Sequence, residues 1–487
     1  MKSIVSIKRF IFLLLPIVWY TSCNFAPVFN RPEDPYNNFK YRPLVDSLSN
    51  LPRDTAWWTS FKDTTLNNIV RMVSLNNNDL KAILHNFEQS RAIARIDRSY
   101  LLPEFSLNAG ASRRVVSQNA VQSFQSNKFT NYNISATAFY QVDLWGKVKN
   151  NYKVSVINTE IDLLQYFDLL SRLRAQAATI YMTIRQLDRQ IALYDSTIIL
   201  RKRSLEIATL NYEAGASDAL DQARAETQLR IAQAQRWTFF NQRANLENAL
   251  AVLMGVEPSD LTIPVRPLDS LPLVIPSKLP SEVLQKRPDI WVTLKSLEAE
   301  NALIGVAKAN LYPSVTLSAD AGYQGRSIEQ LFSPQSFAWT LGGGLMQPLF
   351  NNGRNKAQVE AAIARYERMS DLYRQSVLSA FNEVEDALAN IYYLHKQYQR
   401  AVQTVEAATK AVDLANQRYE AGLVSYLEVV DAERTALLNQ VDLATIVGNM
   451  YRNVITLNLV SGGSWQSGEQ LYSNPDSVYT ANSLLTD

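Results

Sequence analysis

Apolar residues recur along the chain at two different periods. From Thr64 onward they fall three and four apart, at Leu66, Ile69, Val70 and Val73 and then at Leu80, Ile83, Leu84 and Phe87, which predicts helix as far as Leu101 with Pro103 as its stop. The period then drops to two. Phe105, Leu107, Ala109 and Ala111 alternate with Ser106, Asn108, Gly110 and Ser112; after a polar loop, Tyr132, Ile134, Ala136, Ala138, Tyr140 and Val142 alternate with Asn133, Ser135, Thr137, Phe139 and Gln141. These are strands over about 104–117 and 130–143, apolar on one face and mostly polar on the other. Next come 68 residues, Lys147–Ala214, with neither glycine nor proline, bounded by Gly146 and Gly215. At the α-helical rise they make about 100 Å of helix, which no compact core can bury, so the helix must lie along other long helices. A helix over 217–254 follows, with Ser217 or Asp218 as its cap and Gly255 past its end.

The same order then returns. Arg287-Pro288-Asp289 opens a helix, Pro313 precedes strands over about 314–325 and 336–347, and a second run of 68 residues without glycine or proline, Arg354–Ala421, lies between Gly353 and Gly422. Tyr212-Glu213-Ala214-Gly215 recurs letter for letter as Tyr419-Glu420-Ala421-Gly422, and a final helix covers 425–460. Residues 61–255 and 281–460 are therefore two copies of one plan: helix, strand, strand, long helix, turn, helix. Around them lie an extended strap at 23–60, a proline-rich connector at 256–280 and a polar tail at 461–487. Strands of this length with one polar face suit a membrane barrel whose polar side lines water. Four strands close no barrel and lipid tolerates no open edge, so the strands must be pooled between copies, as eight from two chains or twelve from three.

Composition adds three constraints. Glycine is scarce, 16 of 487 residues, as suits a helical chain. The formal charge of +2 includes Lys2, Lys8 and Arg9; the remainder is close to neutral and gives no reason to expect nucleic acid. Those three cations precede the apolar run Phe10–Val18, and residues 1–22 read as an export signal too short to span a membrane. Cys23, directly after Thr21-Ser22, is the only cysteine, so no disulfide forms within the chain. Its setting resembles a bacterial lipoprotein processing site, at which it becomes the acylated first residue; the alternative is a plain signal peptide followed by a free thiol. No catalytic residue, metal site or cofactor is expected. His85 and His395 stand alone on separate helices, and Gly342-Gly343-Gly344 lacks the Lys-Ser/Thr of a phosphate loop.

In order along the chain, Trp57-Trp58 with Phe61 and Leu66, Val142-Asp143-Leu144-Trp145-Gly146, Arg287-Pro288-Asp289-Ile290, Pro348-Leu349-Phe350-Asn351-Asn352-Gly353 and the two Tyr-Glu-Ala-Gly turns resemble the TolC-like outer-membrane channels, and among them the OprM-like lipoproteins. The resemblance covers nearly all of the mature chain. It implies a homotrimer, with four strands per chain in one 12-stranded outer-membrane barrel continuous with a periplasmic barrel of long helices. It further implies a passive exit duct for drugs, metal ions or other small toxic compounds, partnered by a periplasmic adaptor and an inner-membrane pump. Two alternatives remain at this point: a duct of the same build for secreted polypeptides, and a periplasmic adaptor or structural lipoprotein without a pore.

By the same resemblance the two turns lie at the periplasmic tip, where Glu428 and Asp431 match the acidic pair that lines the family's constriction. Their spacing puts both on one side of a helix. The alternative is two solvated carboxylates near a helix N-terminus, where acids are favoured in any case. Asp221 and Arg224 are their counterparts in the first repeat, and Arg224 with Asp218 is expected to take part in interhelical pairing and adaptor contact. Asp320, by alternation, faces the lumen, while Tyr132, Tyr140, Tyr323, Phe337 and Trp339 suit the membrane interfaces or packing between subunits.

Overall fold

The computed structural model describes residues 24–32, 40–41, 56–115, 128–268 and 287–462. The export signal, Cys23, the tail and much of the strap and connector fall outside the described residues. A short 3-10 turn, Trp57–Phe61, leads into α1 (Thr64–Asn76) and α2 (Asn78–Ser99). The sequence predicts one helix here, and the structure breaks it at Asn77. That side chain donates to the Leu253 carbonyl at 2.9 Å and accepts from the Leu80 N–H at 3.0 Å, while its own backbone turns extended at ψ 128°. A short amide that bonds elsewhere competes with the helical ladder, and apolar periodicity carries no trace of it.

The chain continues through β1 (Glu104–Val115), β2 (Lys128–Val142), α3 (Lys147–Glu213), α4 (Ala219–Met254), α5 (Pro288–Ala309), β3 (Ser314–Gly325), the single turn α6 (Ile328–Leu331), β4 (Phe337–Met346), α7 (Arg354–Glu420) and α8 (Tyr426–Val460). The glycines that bound the long helices adopt the left-handed conformation: Gly146, Gly215, Gly353 and Gly422 have φ of 72°, 69°, 78° and 70°. Past α3 the N–H of Ala216 bonds back to Asn211, and past α7 the N–H of Leu423 bonds back to Arg418. The repeated tetrapeptide thus makes the same helix stop twice.

The compact units do not follow the repeat. One takes His85–Leu163 and Val292–Arg374 with residues 24–32; the other takes Asp34–Leu84, Leu164–Trp291 and Gln375–Asp487. Each draws on both copies, and α3 and α7 both run through the division. Helices this long pack against whatever lies beside them at each level, and the core clusters of the second unit accordingly mix residues of both repeats.

In the first unit the strands form one antiparallel sheet in the order β1-β2-β3-β4. Its register keeps each face uniform. Ser106 pairs with Thr137, Thr137 with Asp320 and Asp320 with Thr340, while on the opposite face Leu107 pairs with Ala136, Ala136 with Ala321 and Ala321 with Trp339. Thr137 binds across to Ser106 at 2.6 Å and to Asn108 at 3.1 Å. Among the described residues β1 and β4 each pair on one side only, and β1 is exposed along its whole length. Gly322 has no room for a side chain, because a Cβ there would lie 2.1 Å from the Ile134 carbonyl.

The second unit holds the largest core, in which Trp57, Leu66, Ile69, Val70 and Val73 pack with Tyr181, Ile184 and Ile455. Buried ions cross-link its elements. Asp63, the cap of α1, accepts from Tyr181 Oη at 2.8 Å and Arg185 Nη1 at 2.9 Å. Asp188, whose side chain is 0% exposed, accepts from Arg243 Nε at 2.6 Å and from the Arg266 N–H at 2.9 Å. Arg243 also pairs with Glu247 at 2.6 Å and donates to the Ile263 carbonyl at 2.7 Å. The segment leaving the first repeat is thereby lashed across α3 and α4. Arg287 does the same at the start of the second repeat, binding Asp289 at 2.7 Å, Glu383 at 2.6 Å and the Val460 carbonyl at 3.2 Å.

Candidate channel lining, tip and anchor seat

Beside the second Tyr-Glu-Ala-Gly turn, Tyr426, Val429 and Val430 of α8 are buried at 2%, 1% and 8% exposure among Ala208 of α3 and Ala225 of α4. At 100° per residue these positions share one face of α8, and Glu428 and Asp431 come out on the opposite face. Both carboxylates are exposed. Asp431 pairs with Arg434 one turn on, at 2.9 Å, with both side chains largely in solvent, so the pair holds little energy of its own. Glu428 stands in the first turn of α8, where the helix dipole favours a negative charge.

The first-repeat turn differs. Asp218 is the cap of α4, accepting from the Leu220 N–H at 3.3 Å. Arg224 reaches Asp221 on its own helix, at 3.5 Å. Within one chain, then, the pairing expected between helices is made inside α4, because a three-residue step places the two side chains side by side. Asp320 is half-buried in β3 on the polar face of the sheet, between two threonines, as alternation predicts.

Periodicity gave no sign of three polar residues behind the acidic pair: the buried Arg201 on α3, and on α8 the buried Tyr426 and the half-buried Glu433. Arg201 is 4% exposed and donates from Nη1 to the Gln228 carbonyl of α4 at 2.6 Å. Burial pulls its guanidinium down from the ordinary arginine value, against the attraction of Glu433 and Tyr426. Burial pushes the Glu433 carboxyl up, against the pull of Arg201, and pushes the Tyr426 hydroxyl up to about 12. Of the two histidines, His85 faces Glu88 and His395 faces Gln399, and among the described residues no three His, Cys, Asp or Glu side chains gather as they would around a metal ion.

In the first unit, the residues directly after Cys23 occupy a fitted seat. Phe25 stacks on Tyr312 at 4.5 Å and on Trp145 at 5.7 Å between ring centroids. Asn150 donates to the Asn24 side chain at 2.9 Å, and Asn301 donates to the Pro27 carbonyl at 2.7 Å. Gly305 on α5 makes the approach possible, since a Cβ there would lie 2.7 Å from the Ala26 nitrogen. Trp145 and Tyr312 flank the ends of β2 and β3 that join the helices, and Trp145 Nε1 donates to the Pro313 carbonyl at 2.7 Å.

The family model for outer membrane efflux protein matches residues 69–256 and 279–463, more than half of the chain and both repeats. The chain belongs to the outer membrane efflux protein family. It is 30% identical over 472 residues to the outer membrane protein OprJ of Pseudomonas aeruginosa, covering 92% of this chain and 95% of OprJ. It is 28% identical over 439 residues to the pyoverdine export outer membrane protein OpmQ of the same species, covering 88% and 92%. Among solved structures it is similar to the outer-membrane channel OprN, with a TM-score of 0.85, 25% identity, and 91% and 99% of the two chains covered. As an outer membrane efflux protein it resides in the outer membrane and serves as the exit duct of an efflux pump, as a trimer working with a periplasmic adaptor and an inner-membrane transporter. The open edges of β1 and β4 require such pooling, and three copies give the 12-stranded barrel. Family membership sets aside the pore-free adaptor.

Proposed function

We propose that this efflux duct is passive, that it carries small toxic compounds, and that Glu428 and Asp431 form its constriction at the periplasmic tip. The phase of α8 carries the proposal. One face of that helix is consumed by packing on α3 and α4, so the opposite face, with both carboxylates, is free to line the passage. Threefold symmetry turns the pair into a girdle of six carboxylates, which favours cations at a narrow entrance. A relative named for pyoverdine export supports a small-molecule cargo over a polypeptide. The duct performs no chemistry and needs no cofactor, because the inner-membrane pump supplies the work.

The test is single-channel conductance of the purified trimer in planar bilayers. Wild type should give small, cation-preferring steps, and Glu428→Ala/Asp431→Ala should enlarge them or abolish the preference. A double variant with unchanged conductance and selectivity would remove these residues from the gate.

Cys23 is proposed as the acylated residue, and the seat of Asn24–Pro27 supports it by fixing the chain next to Cys23 beside Trp145 and Tyr312, rings of the kind that settle at a membrane interface. Cells fed labelled palmitate should label the wild-type protein and not Cys23→Ala. Label retained by the variant would move the anchor elsewhere.

A further inference from the structure

We infer that Arg201, Glu433 and Tyr426 form a buried polar latch that positions α8 against the α3–α4 hairpin, and that the tip opens only when this latch takes up water. The inference rests on the reading of Glu428 and Asp431 as the constriction, and it supplies what that reading lacks, an element with two states. Asp431 with its exposed partner Arg434 is too well solvated to hold a helix in place.

Four helices meet at the latch. Arg201 of α3 is 4% exposed and binds the Gln228 carbonyl of α4, and its Nε has no hydrogen-bond partner. Glu433 and Tyr426 of α8 face it, as does Tyr194 of α3 itself. Tyr426 shares a hydrogen bond with Ser204 of α3, and its ring lies 5.5 Å from that of Tyr419 on α7. Below this polar group the seam is apolar and close-packed, at Ala208, Ala225 and Val429.

An apolar seam gains by staying dry. A guanidinium buried with an idle N–H and a half-buried carboxylate gain by being hydrated, so the apolar seam favours the closed state and the charged pair opposes it. Glu433 lies two residues beyond Asp431 on the buried face, so a movement of α8 that wets Glu433 also displaces the acidic pair on the face behind it.

The sign of the pH response follows. Burial raises the Glu433 carboxyl above its ordinary value in the packed state, with Arg201 opposing, while a hydrated Glu433 returns toward that value. The packed state therefore holds the proton more tightly. Its contribution to closure is complete below the ordinary glutamate range and is lost as pH rises through the raised value. The other titratable groups facing the latch are Tyr419 and the hydroxyls of Tyr194 and Tyr426, and burial pushes both of those hydroxyls up, away from this range.

The test uses the full-length trimer in planar bilayers across a pH series from about 4, below the ordinary glutamate value, to about 7.5, well above it. Wild type should conduct less at the low end of the series. Glu433→Gln, which keeps the shape and removes the charge, should conduct at the wild type's low-pH level throughout the series, with cation preference unchanged. Arg201→Met/Glu433→Leu, a dry replacement of the pair, should do the same, and an unheated trimer band on a gel shows that each variant assembles. A Glu433→Gln channel that keeps the wild-type conductance and pH response overturns the latch. Failure of the constriction is read separately: Glu428→Ala/Asp431→Ala would keep cation preference, whatever the latch variants do.

Discussion

Replacing Arg243 with alanine should lower the stability of the helical region by about 3–5 kcal/mol, the usual cost of removing one partner from a buried ion pair. Arg243 is 7% exposed and joins Asp188, Glu247 and the Ile263 carbonyl. Its loss strands a carboxylate whose side chain is 0% exposed, with one backbone N–H, from Arg266, left to bind it. Burial works to lower the Arg243 pKa, but the bonds to Asp188 and Glu247 outweigh it and hold the guanidinium above its ordinary value. The net sign of that balance shows a well-compensated ion in the native state. The measurement is urea unfolding of the purified trimer followed by far-ultraviolet circular dichroism, compared with the surface change Arg230→Ala. Arg230 and its partner Glu226 are both more than half exposed, and the loss there should stay within about 1 kcal/mol. Equal midpoints for the two variants would show that the lashing of residues 263–268 to α3 and α4 carries no weight.

The two buried ions at Asp63 and Asp188 illustrate what sequence periodicity can and does not report. Long helices were legible because a run free of glycine and proline, closed by glycine, has few other conformations open to it, and strands were legible because a two-residue period has one meaning on a half-solvated sheet. The α3 and α7 bounds in the structure lie within one residue of those runs. The register of the sheet was not legible, since parity fixes the faces while any even shift preserves them. The break at Asn77 was invisible for a different reason: its partner, the Leu253 carbonyl, comes from a distant part of the chain.

The site divides in the same way. Glu428 and Asp431 could be singled out because the resemblance matches them to the family's acidic pair; their shared helical face near a glycine turn suits two solvated carboxylates equally well. Arg201 sits in the polar stretch Arg201-Lys202-Arg203-Ser204, which reads as a solvated surface, and only the packing of α4 and α8 makes it a buried residue. Glu433 has neighbours of every kind within four residues and no local sign of burial. Charges that are paid for by distant partners are the part of a site that a single sequence conceals, and here they lie directly behind the residues it reveals.

Placing arginine at Ala321 should cost about 2–4 kcal/mol and block assembly of the barrel, whereas asparagine at the adjacent Asp320 should leave it intact. The two positions are neighbours on β3 and point to opposite faces. Ala321 lies in the row Leu107, Ala136, Ala321, Trp339, and Asp320 in the row Ser106, Thr137, Asp320, Thr340. Ala321 lies near the middle of β3, where an ion turned toward lipid has the least chance of reaching a headgroup. The outcome is read as the fraction of protein recovered from outer membranes as heat-dissociable trimer. Asp320→Asn, with full recovery, should shift ion selectivity modestly, because one lumen carboxylate per chain has been neutralised. Should Ala321→Arg assemble as well as wild type while Asp320→Asn fails, the faces of the sheet would be reversed and every lumen assignment with them. The experiment therefore decides which of the two regular faces of the barrel meets water.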